Sequence, residues 1–120
     1  MELDIVLDIR VRSQEFSKAP QLERVGKDTI LIFDFETETG EYKIGKLIFT
    51  DAIQYKVTRL VCVEPWMVKA YDAVGVVKNS RVVEELKNTF PGAVPDYKHY
   101  VVFFEDYGCH EFLARDVALG

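Results

Sequence analysis

The last quarter of the chain, Tyr97 to Val117, narrows the fold most; it reads YKHYVVFFEDYGCHEFLARDV. Two apolar-rich runs flank Glu105-Asp106-Tyr107-Gly108, so the segment reads as an antiparallel hairpin. Its first run is apolar on both sides, because Val101 and Phe103 oppose Val102 and Phe104 on a strand. Ile30 and Ile32 oppose Leu31 and Phe33 in the same way. An antiparallel sheet with one wet face alternates more cleanly than this. Either the sheet closes toward a partial barrel or sandwich, or its second face meets another chain.

Strand periodicity recurs upstream. Leu3, Ile5, Leu7, Ile9 and Val11 alternate with Glu2, Asp4, Val6, Asp8 and Arg10, the pattern of a half-buried strand with a row of carboxylates toward water. Residues 13–27 are polar, contain Pro20 and Gly26, and read as a loop. A strand is expected over 29–37, with Leu31, Phe33 and Phe35 on one face, and another over 42–49. The turn Glu38-Thr39-Gly40-Glu41 joins them as a hairpin. A further strand is expected over 53–60, after Thr50-Asp51-Ala52 shifts the apolar parity and marks a tight turn or bulge.

Glu64-Pro65 ends that pattern, since proline cannot donate to a ladder. Trp66, Ala70 and Val74 fit one face of a short helix, whereas Gly75-Val76-Val77 looks extended, so 66–77 stays open between helix and strand. The clear helix is 80–90. Val82, Val83, Leu86 and Phe90 form its stripe, Ser80 or Asn79 caps it, and Pro91-Gly92 stops it. Leu86 and Phe90 are expected to bury against the strand face carrying Leu3, Ile5 and Leu7. The fold class is α+β: a strongly bent antiparallel sheet of about five to six strands, tending to a partial barrel, with one main helix. Residues 1–120 form a single domain, because 120 residues of which 48% are apolar make one adequate core and not two.

The terminal hairpin allows two registers. A two-residue loop at Tyr107-Gly108 would pair Glu105 with His110 and His99 with Asp116. A three-residue loop with Gly108 in a left-handed bulge would pair Phe104 with His110 and His99 with Arg115. Glycine suits the bulge and tyrosine suits a primed turn poorly, which favours the second. It also gathers Tyr100, Val102, Phe104, Phe112 and Ala114 on one apolar face.

A net charge of −5 argues against nucleic acid, whose phosphates call for a surplus of Lys and Arg on one face. Lys43, Lys46, Lys56 and Arg59 cluster but are interrupted by Glu41 and Asp51. Apolar runs fall short of a membrane span, and the N-terminus carries charges inside its apolar run, so no membrane association and a cytoplasmic location are expected. Cys62 and Cys109 then read as reduced thiols.

The polar site to examine is the hairpin, with His99, Cys109, His110 and Glu111. All four are metal-competent, but the adjacent Cys109 and His110 point to opposite faces of a strand, and no CxxC or HxxxH spacing exists. A thiolate pair of Cys109 with either histidine, oriented by Asp106 or Glu111, lacks a nucleophile elbow or glycine-rich oxyanion loop. Asp4 and Asp8 with Asp34 and Glu36 could pair as acid and base or hold a hard cation, yet alternation on a wet face explains them. Scattered glycines cradle no phosphate, so no catalytic residue, metal or cofactor is assigned. Partner contacts fall on Trp66, a strong anchor if exposed, and on Ile30, Ile32, Val101 and Phe103. The chain reads as a non-catalytic module that binds a protein partner or itself, with a homodimer expected. The alternative is a small enzyme or ligand-binding protein using His99, Cys109, His110 and Glu111.

The segments AYDAVGVVKNSRVVEEL and HYVVFFEDYGCHEFLA, within residues 70–114, resemble small uncharacterised bacterial proteins in which a serine-opened helix precedes a hairpin with a Gly-x-x-Glu exit. The resemblance implies this order of elements and transfers no functional residue. Immunity proteins, which neutralise a toxin, share the size and build alone.

Overall fold

The computed structural model describes residues 1–92 and 96–120. In chain order the described elements are β1 (Leu3–Asp8), β2 (Gln21–Val25), β3 (Asp28–Glu36), β4 (Tyr42–Thr50), β5 (Gln54–Thr58), α1 (Pro65–Val68), β6 (Ala73–Val77), α2 (Arg81–Thr89), β7 (Lys98–Phe104), β8 (Gly108–Ala114) and β9 (Asp116–Leu119). They form two sheets, ordered β1-β6-β7-β8-β5 and β2-β3-β4-β9, with antiparallel strand pairing throughout. This is a sheet-rich α+β fold whose sheets stay open, two layers in place of one bent sheet.

The inner faces of the two layers meet in an aromatic core. Leu31, Phe33, Leu47 and Phe49 of the four-stranded sheet pack on Val74, Tyr100, Val102, Phe104 and Phe112 of the five-stranded one. Phe49 and Phe112 stack with ring centroids 3.7 Å apart, and Phe16 bridges Phe33 and Phe104. Such rings bring the largest apolar areas per residue into a core, and their offset and edge contacts add to that burial. Gly45 is required here, because a Cβ at that position would overlap the ring of Phe33.

The outer face of the five-stranded sheet is covered by the chain itself. Val77, Val101, Phe103 and Cys109 are buried beneath Met67 and Ala70, with Val63 and Trp66 packed at the margin. That second cover accounts for β7 being apolar on both sides. Val101 and Phe103 are thus core residues and not partner contacts, and Trp66 lies half-buried against the same cluster, its indole N–H donating to Glu64.

Several expectations change. Residues 21–25 form a strand where a loop was expected, and Gly26, at φ 62°, turns it into β3. Every residue of β2 is exposed, so this edge strand carries no apolar alternation to reveal it. Residues 66–77 divide into α1, with Pro65 at its first turn, and β6. Val74 is therefore a strand residue and not part of a helical stripe. The parity shift at Thr50-Asp51-Ala52 is where the chain leaves one sheet for the other, with Asp51 at φ 50°.

In β1 the pairing with β6 slips between Ile5 and Leu7. Leu3 consequently packs with the outer cluster and Leu7 with the inner core, while Ile5 is exposed. One bulge lets a single alternating strand serve both faces.

The terminal hairpin takes neither expected register. Phe104 pairs with Gly108, Val102 with His110 and His99 with Leu113. This differs from the favoured register by two residues, so the faces survive, and Tyr100, Val102, Phe104, Phe112 and Ala114 still point inward together. Asp106 (φ 69°) and Gly108 (φ 80°) both take left-handed conformations, and a Cβ on Gly108 would strike the Thr58 carbonyl.

Candidate functional site

Strand alternation divides the four hairpin residues between two environments. His110 points inward with Val102, its cross-strand partner. Its Nδ1 lies 2.8 Å from the Tyr55 hydroxyl, which also sits against the core. Burial pulls the His110 imidazole down to about 4 and pushes the Tyr55 phenol up to about 12. Two groups shifted this far apart both stay neutral around pH 7, and His110 is a core histidine.

His99, Cys109 and Glu111 point outward. Cys109 lies under the outer cluster, and burial, reinforced by the neighbouring Glu111 carboxylate, pushes its thiol up to about 12. Cys62 is exposed. A thiol reagent at neutral pH is expected to label Cys62 rapidly and Cys109 only after unfolding. Stopped-flow labelling of native and denatured protein checks this, and fast modification of Cys109 in the native state would contradict it.

His99 and Glu111 assemble with a residue that the sequence suggested only as a helix cap. Ser80 opens α2, and its Oγ accepts the Val83 amide at 3.3 Å, the ordinary N-cap bond. The same oxygen lies 2.8 Å from His99 Nδ1, and His99 Nε2 lies 2.8 Å from Glu111 Oε1. The neutral tautomer with hydrogen on Nε2 satisfies the whole chain: Ser80 O–H donates to Nδ1 and N–H donates to Glu111. All three side chains are buried. Ser80 is thereby tied to the helix end and to the imidazole, which is the setting of a positioning group and not of a nucleophile. Glu111 Oε2 is left with no hydrogen-bond partner among the described residues.

This chain of polar groups borders a cleft of about 420 Å³ beside α2, lined by Gln54, Lys56, Val82, His99, Glu111 and Leu113 among others. The rows across β5, β8 and β7 place these groups: Gln54, Leu113 and His99 lie side by side, and next to them Lys56, Glu111 and Val101. The sequence offered no route to Gln54 and Lys56, because the β5–β8 pairing joins segments more than fifty residues apart.

The carboxylates of the first strands go separate ways. Asp4 pairs with Lys78 at 3.2 Å, and Asp8 accepts the Arg10 amide at 2.8 Å. Asp34 is buried on the other sheet, where it accepts hydrogen bonds from Ser17 and Tyr42. Burial works to raise Asp34, but those bonds outweigh it and hold the carboxyl below its usual range. Among the described residues, no three His, Cys, Asp or Glu side chains converge as metal ligands.

A further polar cluster, unforeseen from the sequence, staples the chain after β1 to the β7–β8 turn. The Ser13 amide donates to Asp72, the Ser13 hydroxyl accepts the Glu105 amide at 2.7 Å, and the Tyr71 hydroxyl donates to Glu105 at 2.5 Å. Burial raises the Asp72 carboxyl, and the residue sits at φ 49°. Each of these bonds joins segments distant in sequence, so the cluster reads as a clasp.

The outer face of the four-stranded sheet is the second candidate surface. Ile30 and Ile32 of β3 stand beside Ile48 and Lys46 of β4, with Glu23 and Gln21 of β2 at their other side. Ile44 and Tyr42 extend the face, each 60% exposed. Among the described residues no helix is long and apolar enough to cross a membrane. Comparison with protein-family models, with curated proteins and with solved structures gives no match.

Proposed function

We propose that the protein is a non-catalytic binding module that pairs with a second copy of itself through the outer face of its four-stranded sheet. The observation that carries this reading is the row of isoleucines at 30, 32, 44 and 48, a β-branched surface open at Ile44 and Tyr42. Exposed apolar patches of this kind mark interaction sites on soluble domains. The same face carries Glu23 at the margin of the row and Lys46 within it, between Ile44 and Ile48. A face bearing both signs lets a second copy, turned about a two-fold axis, set each charge against its opposite. The sequestration of Ser80, Cys109 and His110 further supports a role without catalysis.

Sedimentation equilibrium at about 100 μM, well above the Kd of an ordinary weak dimer, is expected to give twice the 13.8 kDa chain mass. Ile44→Asp is expected to return the single-chain mass while leaving the circular dichroism spectrum unchanged. A wild-type protein at the single-chain mass throughout would overturn self-association.

A further inference from the structure

We propose that the groove between α2 and the β5–β8 pair binds a free amino acid with an apolar side chain, its ammonium on Glu111 and its carboxylate on Lys56. The starting point is the unmet acceptor. Glu111 is only 8% exposed, and one carboxylate oxygen takes the His99 N–H while the other has no partner among the described residues. A buried carboxylate oxygen without a donor is costly, and an ammonium supplied by a ligand removes that cost.

Lys56 is the natural partner on the strand, standing directly opposite Glu111, yet the two form no ion pair among the described residues. The reason is the direction Glu111 takes. It reaches toward β7 to meet His99, which is fixed from behind by Ser80, and so turns away from β5. An anchored carboxylate and an exposed ammonium therefore flank the same cleft without neutralising each other. A simple amine would fill the acceptor but meet Lys56 as a like charge. An α-amino acid presents both charges on one carbon and satisfies each.

The cleft continues past Gln54, Val82 and Leu113, which also line a second hollow of about 280 Å³ bounded by Ile53, Leu86 and Phe90, with Glu85 and Thr89 at its rim on α2. Its walls give an apolar side chain a place to lie next to the polar end. Pockets of small-molecule sites combine these features, with apolar walls and a few placed polar groups. The α2 stripe, only half-buried in the fold, gains an occupant by this arrangement.

The test is amide chemical-shift mapping of the full chain titrated with L-phenylalanine and L-leucine. Saturable shifts are expected at Gln54, Lys56, Glu111 and Leu113. N-acetyl-L-phenylalanine, which lacks the ammonium, and 2-phenylethylamine, which lacks the carboxylate, are each expected to bind at least tenfold more weakly. Lys56→Met, a change on an exposed side chain, is expected to weaken L-phenylalanine about tenfold and to strengthen 2-phenylethylamine, whose ammonium then meets no like charge. Glu111→Gln is expected to abolish the shifts, with the hairpin resonances confirming that the variant folds. Absence of saturable shifts with either amino acid would overturn the proposal. So would equal binding of the N-acetyl compound, or indifference to Lys56→Met. A dimer dissociated by Ile44→Asp that still binds L-phenylalanine separates this site from the sheet-face interface.

Discussion

Phe112→Ala is expected to lower the unfolding free energy by about 4 kcal/mol, whereas Leu86→Ala lowers it by only about 1 kcal/mol. Phe112 is 1% exposed, stacked on Phe49 at 3.7 Å and tilted against Tyr55 at 4.9 Å. Its removal leaves a cavity at the junction of both sheets, which the stiff surrounding strands cannot collapse. Leu86 lies half-buried on a helix beside the β5 edge. For a domain whose whole stability is about 5–15 kcal/mol, the first change approaches unfolding and the second does not. Urea melts of the two variants check the contrast. Equal losses would place α2 in the core, as the sequence pattern suggested.

Stability is also expected to fall in acid through His110. Its imidazole titrates at about 4 in the fold against an ordinary 6.5, because burial disfavours the charged form. Between those values the unfolded chain holds a proton that the native protein lacks, so stability rises with pH across the window. The contribution is complete above pH 6.5 and is lost progressively as pH falls to about 4, a difference of about 3 kcal/mol. The groups around the ring are the Tyr55 hydroxyl, the Tyr107 backbone and the faces of Tyr55 and Phe104. The Tyr107 contact works to raise the imidazole but burial outweighs it, and none of these groups carries a compensating charge. Urea midpoints measured from pH 7 to pH 4 check this, and His110→Gln is expected to flatten that part of the curve. An unchanged slope in the variant would assign the acid sensitivity elsewhere.

What could be read from the chain depended on whether a local pattern was enough. The β3–β4 hairpin, the Ser80 cap and the inward face of β7–β8 were legible, because a turn, a cap and a period of two are each written in neighbouring residues. The packing of α2 was not. β1 and β5 are opposite edges of one sheet, so a helix beside β5 cannot reach Leu3 and Leu7, and that order is set by pairings between remote segments. The edge strand β2 was illegible for a different reason, as Gln21, Glu23 and Arg24 face water and leave no apolar rhythm. Of the polar site, His99 and Glu111 were singled out together, but with Cys109 and His110, which the pleat and the covering segment remove from them. Ser80 and Lys56 join the pair only through tertiary structure.

The exchange of the chain between layers carries a kinetic consequence. β1 lies in the five-stranded sheet, β2 to β4 in the other, β5 to β8 back in the first, and β9 in the second. Leu3 meets Val77, and Leu47 meets Leu119, so each layer waits on segments some seventy residues away. Loop closure must precede the contacts that reward it, which places folding in the millisecond-to-second range typical of non-local β topologies. Neither sheet is a continuous stretch of chain, and neither can ripen alone. Local hairpins such as β3–β4 and β7–β8 can pair early, but each sheet is complete only once a strand from a remote stretch of chain has docked.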